Sequence, residues 1–316
     1  MIDIVACTDK RNIMPTGVMM CSVCVNNPDL IIRFYIIADV DVADEDRDDI
    51  STVVAPYKNR ARIEFYPVPE QILDCSFPKL NEKITRTAYF RLFVAEILPS
   101  TIDKVLYLDG DVIVRHSLKE LWDMDLSNFA LAAVPDMREG STDRYEGLGY
   151  SNNQGYFNSG VLLINLAYWR QHQATKLFEE FIQNRYETIR FHDQDVLNYI
   201  FREQKMTLPI KYNLQDGFLW KKPEYDWSRY GEEVMAARRN PVIVHFTGDK
   251  PWRYSYDPNP FQSTFLKYQK MTKWKGVMID RRSYSMRVRS FVGFFLRRAR
   301  ILPRIQSQFI SIAPVD

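Results

Sequence analysis

Four apolar residues in a row, Val105-Leu106-Tyr107-Leu108, run without interruption into Asp109-Gly110-Asp111. A strand with that pattern has no polar side to turn to water, so it belongs in a sheet covered on both faces, as parallel sheets are. Open α/β sheets bind their ligands outside the carboxyl ends of the strands, and the two aspartates occupy that position. Alternate residues of a strand share a side, so both carboxylates can converge on one hard cation. Gly110 between them lets backbone or ligand approach closely. A divalent ion held this way, with open positions, is suited to binding a diphosphate. Asp-x-Asp is common in surface turns, and it is the apolar strand leading into this one that raises it above a solvated turn.

The segments upstream alternate in period. Ile2–Ala6, Ile31–Ala38 and Ala61–Tyr66 read as strands, whereas Val18–Val25, Glu45–Ala55 and Thr87–Leu98 read as helices, the last stopped by Pro99. Strands separated by helices predict a mostly parallel, doubly wound sheet. No glycine-rich phosphate loop follows the first strand. Cys7-Thr8-Asp9-Lys10 stands there instead, which argues against a dinucleotide enzyme or a P-loop NTPase. Downstream, Ser117 and Glu120 suit a capping box. Phe129–Val134, Gly160–Asn165 and Val242–Phe246 read as strands, and Ala174–Tyr186 and Gln194–Glu203 as helices. Residues 136–155 are rich in Gly, Ser, Asn, Asp and charge, the make-up of a binding loop or lid.

Composition excludes several classes. With 316 residues, 46% hydrophobic and 26% charged, the chain is a folded globular protein of one large or two smaller domains. Its four cysteines are too few and too clustered for a secreted disulfide scaffold. Cys21-Ser-Val-Cys24 has the spacing of half a zinc site but no second half, so buried reduced thiols are expected, in keeping with the cytosol. The opening Met1-Ile-Asp-Ile-Val-Ala has no basic leader, and no run of 18 apolar residues occurs, so neither secretion nor a membrane span is expected.

Other constellations bear polar chemistry. In Phe191-His192-Asp193-Gln194-Asp195-Val196 either aspartate could cap the following helix, and two acids around a neutral amide also suit sugar hydroxyls. Asn158 and Ser159 precede a strand at what reads as a tight turn. His245 ends a strand, and a nitrogen ligand beside two carboxylates would suit manganese better than calcium; spacing alone does not bring it to Asp109. Lys250, in the following turn, offers a point charge for phosphate.

Taken jointly, Val105-Leu-Tyr-Leu-Asp-Gly-Asp111, Tyr156-Phe-Asn-Ser-Gly-Val-Leu-Leu-Ile-Asn-Leu166, His192-Asp-Gln-Asp195 and His245-Phe-Thr-Gly-Asp-Lys-Pro-Trp252 resemble glycosyltransferase family 8 in order and spacing, over roughly residues 2–275. Within it the chain resembles the bacterial lipopolysaccharide and lipooligosaccharide α-galactosyltransferases. The resemblance implies an α/β fold of GT-A type, with a single Rossmann-like sheet and a small C-terminal helical extension. It also implies a UDP-sugar donor, Mn²⁺ (or Mg²⁺) and retention of anomeric configuration. Carried over by position, it makes Asp109, Asp111 and His245 the metal ligands and Gly248 and Lys250 the diphosphate contacts. Ala6, Thr8 and Asp9 fall in the uridine and ribose region, Thr8 standing where close relatives often carry an acid. Arg91 matches an arginine that holds donor sugar or phosphate, while Asn158, Ser159, Asp193, Gln194 and Asp195 match the donor-sugar pocket, alongside Gly110. Gln194 falls where a covalent route would need a carboxylate under the anomeric carbon, and an amide is a poor nucleophile. Front-face attack is therefore favoured, with Asp193 and Asp195 binding sugar hydroxyls.

The expected division is a catalytic domain, 1–275, and a basic amphipathic tail, 276–316. Arg281 to Arg304 holds arginines interleaved with Phe and Leu and no acids, the pattern of a helix lying on an anionic membrane. The sequence therefore predicts a UDP-galactose- or UDP-glucose-dependent hexosyltransferase of lipopolysaccharide or surface polysaccharide synthesis. It would take a glycan or glycolipid acceptor, bind no nucleic acid, and sit on the inner face of the cytoplasmic membrane. The alternatives are a glucosyltransferase acting on protein or glycolipid, and a sugar-nucleotide binder without turnover.

Overall fold

The computed structural model describes residues 1–78, 85–279 and 306–311. Its strands, in chain order, are β1 (Ile2–Thr8), β2 (Ile32–Ala38), β3 (Ala61–Pro67), β4 (Lys104–Leu108), β5 (Val112–Val114), β6 (Leu131–Pro135), β7 (Phe157–Asn165), β8 (Lys205–Thr207), β9 (Leu214–Gln215) and β10 (Ile243–His245). Seven of them form one sheet in the order β3-β2-β1-β4-β7-β6-β8. β1 to β4 run parallel, β7 is antiparallel to both β4 and β6, and β8 is parallel to β6. The mostly parallel α/β sheet read from the sequence is thus present, with β7 the one reversed strand among those described.

Both faces are covered, as the apolar strands require. Ile4 and Ala6 of β1 with Leu106 and Leu108 of β4 pack beneath the helix Ile13–Asn26. Val5 and Cys7 with Val105 and Tyr107 face the other core, which holds Trp169, Phe178 and Val196. The helix Ile13–Asn26 is buried without a break from Ile13 to Cys24, because it lies between β5, the helix Asp44–Val54 and the helix Gln262–Gln269. Its two cysteines are free thiols, as expected.

A second, three-stranded sheet has the order β5-β10-β9; of its strands the sequence showed only β10, read as Val242–Phe246. Its strands have two or three residues each, too short to show a period. Two local readings also change. Thr87–Leu98 is not one α-helix but a 3-10 stretch, Arg86–Phe93, followed by a single α-turn, Val94–Ile97. Tertiary anchors override propensity here: the Tyr89 ring stacks on Phe77 at 4.6 Å, and Arg91 is drawn into the site described below. The capping box at Ser117 and Glu120 does not form. Ser117 Oγ accepts from the Lys119 amide at 3.2 Å, but Glu120 reaches across to Lys211 at 2.9 Å.

Of the expected C-terminal tail, 276–316, residues 280–305 and 312–316 lie outside the described residues. On either side of residues 280–305 the chain is held to the body of the fold. The Ile279 amide donates to Trp252 O at 2.8 Å, and Phe309, 3% exposed, bridges Trp220.

Candidate active site

Three elements meet at the carboxyl end of β4. The strand delivers Asp109, the turn carries Gly110, and Asp111 opens β5. β10 pairs antiparallel with β5, His245 opposite Val112, and the Phe246 amide donates to Asp111 O at 3.0 Å. That register brings a residue 134 positions beyond Asp111 alongside it. His245 Nε2 lies 3.2 Å from Asp111 Oδ1 and 3.8 Å from Asp109 Oδ2. One ligand atom from each of the three lies within 4.8 Å of the others.

The backbone opposite must be bare for this to happen. Gly160, on β7, accepts the Asp109 amide hydrogen at 2.9 Å. A Cβ there would stand 2.2 Å from His245 Cε1 and 2.7 Å from Asp109 Oδ2.

His245 is buried, while the two aspartates keep 23% and 21% of their side-chain surface open. Two carboxylates and one imidazole nitrogen form a hard-to-borderline donor set that suits a divalent cation needing room for further oxygen ligands. Lys250 Nζ donates to Asp111 Oδ2 at 2.6 Å and to Phe246 O. Burial opposes the charge on Asp111, but the Lys250 ammonium beside it prevails and holds the carboxyl well below the usual range.

Arg91 ties this cluster to the next. Its buried guanidinium lies 2.9 Å from Asp109 Oδ1 and 3.0 Å from Asp193 Oδ2, donates to Ser159 O at 2.6 Å, and covers the Tyr107 ring at 4.5 Å. Tyr107 in turn donates its hydroxyl to Asp109 Oδ1 at 2.8 Å. Ser159 Oγ donates to Asp193 Oδ2 at 2.9 Å. Burial and the nearby Asp109 push the Asp193 carboxyl up to about 6 against the pull of Arg91.

β7 starts at Phe157, so Asn158 and Ser159 are strand residues and not a turn before one. This end of β7 pairs with β6, Phe157 opposite Pro135, and Asn198 accepts from Phe157 N and donates to Phe157 O, both at 2.8 Å. Gln194 Oε1 accepts from the Ser159 amide at 3.0 Å and from Asn158 Nδ2 at 3.1 Å, and Gln194 Nε2 donates to Asp136 at 3.0 Å. Neither aspartate caps the helix amides, because the helix begins earlier than expected, at His192, and its N-cap position, Phe191, has no capping side chain. Asp195 instead accepts the Arg190 and Phe191 amides at 2.7 and 2.8 Å and the Tyr156 hydroxyl at 2.6 Å. Burial raises its carboxyl, with those bonds opposing.

Ala6 and Thr8 lie near the end of β1, which pairs with β4, and Asp9 directly follows it as the cap of a 3-10 turn. Ala6 and Thr8 are buried, and the Thr8 hydroxyl meets that of Thr16 at 3.2 Å. Thr16 Oγ1 is also what a side chain at Gly110 would strike, at 2.7 Å. Asp9 accepts the Arg11 and Asn12 amides, each at 3.1 Å, and the Thr85 hydroxyl at 2.8 Å. In the final turn Gly248 N donates to the buried Asp216 at 3.0 Å. Burial raises that carboxyl to about 6, against the attraction of Lys250.

Asp109, Asp111, His245, Lys250, Arg91, Ser159 and Asp193 therefore form one connected cluster, and Gln194 joins it through Ser159. Asp195 is held apart, both its oxygens taken by protein donors. Sequence reasoning missed Asn213, Asp136, Asp216 and Tyr107. Asp136 was findable, since it follows the apolar run at β6 as Asp109 follows β4. The other three carry no local signal. The 136–155 segment is less open than a bare loop. Arg144 is buried there, 3.1 Å from Asp136 and stacked on Phe191 at 3.6 Å.

The sequence model described as Glycosyl transferase family 8 matches residues 3–255. General stress protein A of Bacillus subtilis is 27% identical over 279 residues, covering 87% of this chain and 95% of that protein. The lipopolysaccharide 1,2-glucosyltransferase of Escherichia coli K12 is 29% identical over 253 residues, 77% of this chain and 70% of that one. Among solved structures, the galactosyltransferase LgtC in complex with donor and acceptor sugar analogs is similar at a TM-score of 0.74 and 27% identity, covering 86% of this chain and 96% of that one.

Proposed function

The chain belongs to glycosyltransferase family 8, and on that footing we propose that it is a retaining, cation-dependent enzyme transferring galactose or glucose from a UDP-sugar to a glycan acceptor of lipopolysaccharide or surface polysaccharide. The observation that carries this reading is the convergence of Asp109, Asp111 and His245 from three elements, with Lys250 alongside. These three side chains would hold Mn²⁺, or Mg²⁺, as ligands. Such an ion supplies Lewis-acid neutralisation of a departing diphosphate.

The chain's own residues do the rest. Lys250 and the Gly248 turn offer a point charge and backbone to the diphosphate. Ala6, Thr8 and Asp9 border the uridine and ribose. Arg91 holds Asp109 and Asp193 in place beside the sugar, with Asn158 and Ser159 on the facing strand. Gln194 supports attack from the leaving group's own face: it is an amide, and its oxygen already accepts two hydrogen bonds. A phosphate oxygen then takes the acceptor hydroxyl's proton, while Asp193 binds sugar hydroxyls and offsets developing positive charge. A glycosyl adduct trapped on Asp193 or Asp195 would contradict this route.

Incubated with UDP-hexoses and no acceptor, the purified protein should release UDP slowly in Mn²⁺ and not in EDTA. Binding of UDP-hexose with no UDP released in either condition would make it a binder and not a transferase.

Among the described residues no helix is long and apolar enough to cross a membrane. The arginine-rich stretch at 281–304 supports peripheral attachment to the inner face of the cytoplasmic membrane. Because Phe309 packs into the core, deletion of the whole segment would disturb more than charge. Replacing the arginines at 281, 282, 287, 289, 297, 298, 300 and 304 with glutamine is cleaner. That variant should lose co-sedimentation with anionic liposomes while keeping its UDP release; unchanged sedimentation would refute the attachment.

A further inference from the structure

An imidazole serves a cation only if the nitrogen facing it carries a lone pair, and the partner of the other nitrogen decides which one that is. We propose that Asn158 and Asn213 form a two-amide chain that fixes His245 with its proton on Nδ1 and its Nε2 lone pair toward Asp109 and Asp111. The proposal rests on the cation-site reading above and gives two further residues a positioning role in it.

The chain starts at a backbone group whose direction is not in question. Gly160 N–H can only donate, and it donates to Asn158 Oδ1 at 3.0 Å. Asn213 presents its amide to the same oxygen at 2.9 Å, and two carbonyl oxygens cannot pair, so Nδ2 is the atom that faces Asn158. The Asn213 oxygen is thereby turned to His245, 3.0 Å from Nδ1. A carbonyl oxygen only accepts, so Nδ1 carries the hydrogen. Nε2 is left pointing at the two carboxylates, 3.2 and 3.8 Å away.

The other end of Asn158 agrees independently. Ser159 N–H fixes Gln194 Oε1 at 3.0 Å, and Asn158 Nδ2 donates to that oxygen at 3.1 Å and to Asp136 Oδ2 at 3.5 Å. Two neighbouring backbone amides thus dictate the same orientation. Asn158, Asn213 and His245 are 8%, 0% and 4% exposed, so water does not compete for these bonds. Asn158 has two lone pairs and two N–H hydrogens, and all four are used within the protein.

The test combines a tautomer measurement with metal binding. The chain has four histidines, so ¹⁵N-histidine labelling is tractable, with His245→Gln assigning the signal. In metal-free protein at a pH where the ring is neutral, His245 should be the Nδ1–H tautomer, opposite to the Nε2–H form that free histidine prefers. Asn213→Leu should release that preference and weaken Mn²⁺ binding, read by electron paramagnetic resonance, by about 10- to 100-fold. Asn213→Asp keeps an oxygen at Nδ1 and should bind Mn²⁺ within about tenfold of wild type, the same principle setting the scale. An Nε2–H tautomer in wild type overturns the proposal, as does equal Mn²⁺ binding by wild type and Asn213→Leu, or equal loss in both variants. Should Asn213→Leu not fold, the wild-type tautomer and Asn213→Asp decide. Failure of wild type to bind Mn²⁺ would instead defeat the cation reading, which the metal-free tautomer does not depend on.

Discussion

Replacing Gly160 with alanine should cut UDP release from a UDP-hexose by roughly 1000-fold, the loss of several kcal/mol of charge stabilisation that a misassembled metal site entails. The new methyl carbon would stand 2.2 Å from His245 Cε1 and 2.7 Å from Asp109 Oδ2. No carbon tolerates that approach, so either both ligands move or β7 shifts. β7 is held on one side by five paired residues of β4 and on the other by β6, and its own backbone is locked by Asn198. The ligands are therefore what moves. Overpacking of this kind costs about 1–3 kcal/mol of stability, which lowers the melting temperature but leaves a folded protein whose circular dichroism matches wild type. Near-normal Mn²⁺-dependent turnover in Gly160→Ala would mean that His245 and Asp109 do not work at this spot.

Asp109→Asn should have an effect of similar size on turnover, about 1000-fold, with less disturbance to the fold. Asp109 Oδ1 accepts from Arg91 and from the Tyr107 hydroxyl, at 2.9 and 2.8 Å, and an asparagine oxygen preserves both acceptor positions. Oδ2 is the atom that faces His245, and there the variant puts an amide NH₂ that cannot bind a cation. Arg91 keeps Asp193 as a charged partner at 3.0 Å, so no cation is left buried alone. Mn²⁺ affinity and UDP release should fall together while thermal stability changes little. If turnover survived in EDTA, the metal role would be wrong.

How much of this was legible beforehand follows from the range of each signal. The run ending at Asp109 announced a buried strand and a carboxylate pair, because burial on both faces and period are properties of neighbouring residues. The parallel order of β1 to β4 followed from strand–helix alternation in the same way. Adjacency of His245 to Asp111 did not, since it depends on the register of β5 and β10, three residues each. It entered through resemblance, and the structure bears out the grouping. The start of β7 was misread because Phe157 pairs with Pro135 of β6 across an irregular register, and Asn198, remote in sequence, holds its backbone on the other side. Asn213 was invisible for a like reason: its role consists of one bond to each of two residues remote in sequence.

The central claim is that Asp109, Asp111 and His245 grip one divalent cation. Anomalous diffraction from crystals grown with Mn²⁺ and UDP tests it most directly. A single manganese peak should lie between His245 Nε2 and the two carboxylates, with Lys250 released from Asp111 toward phosphate oxygens. Well-ordered UDP with no anomalous peak among these three side chains, or with the peak elsewhere, would contradict the account.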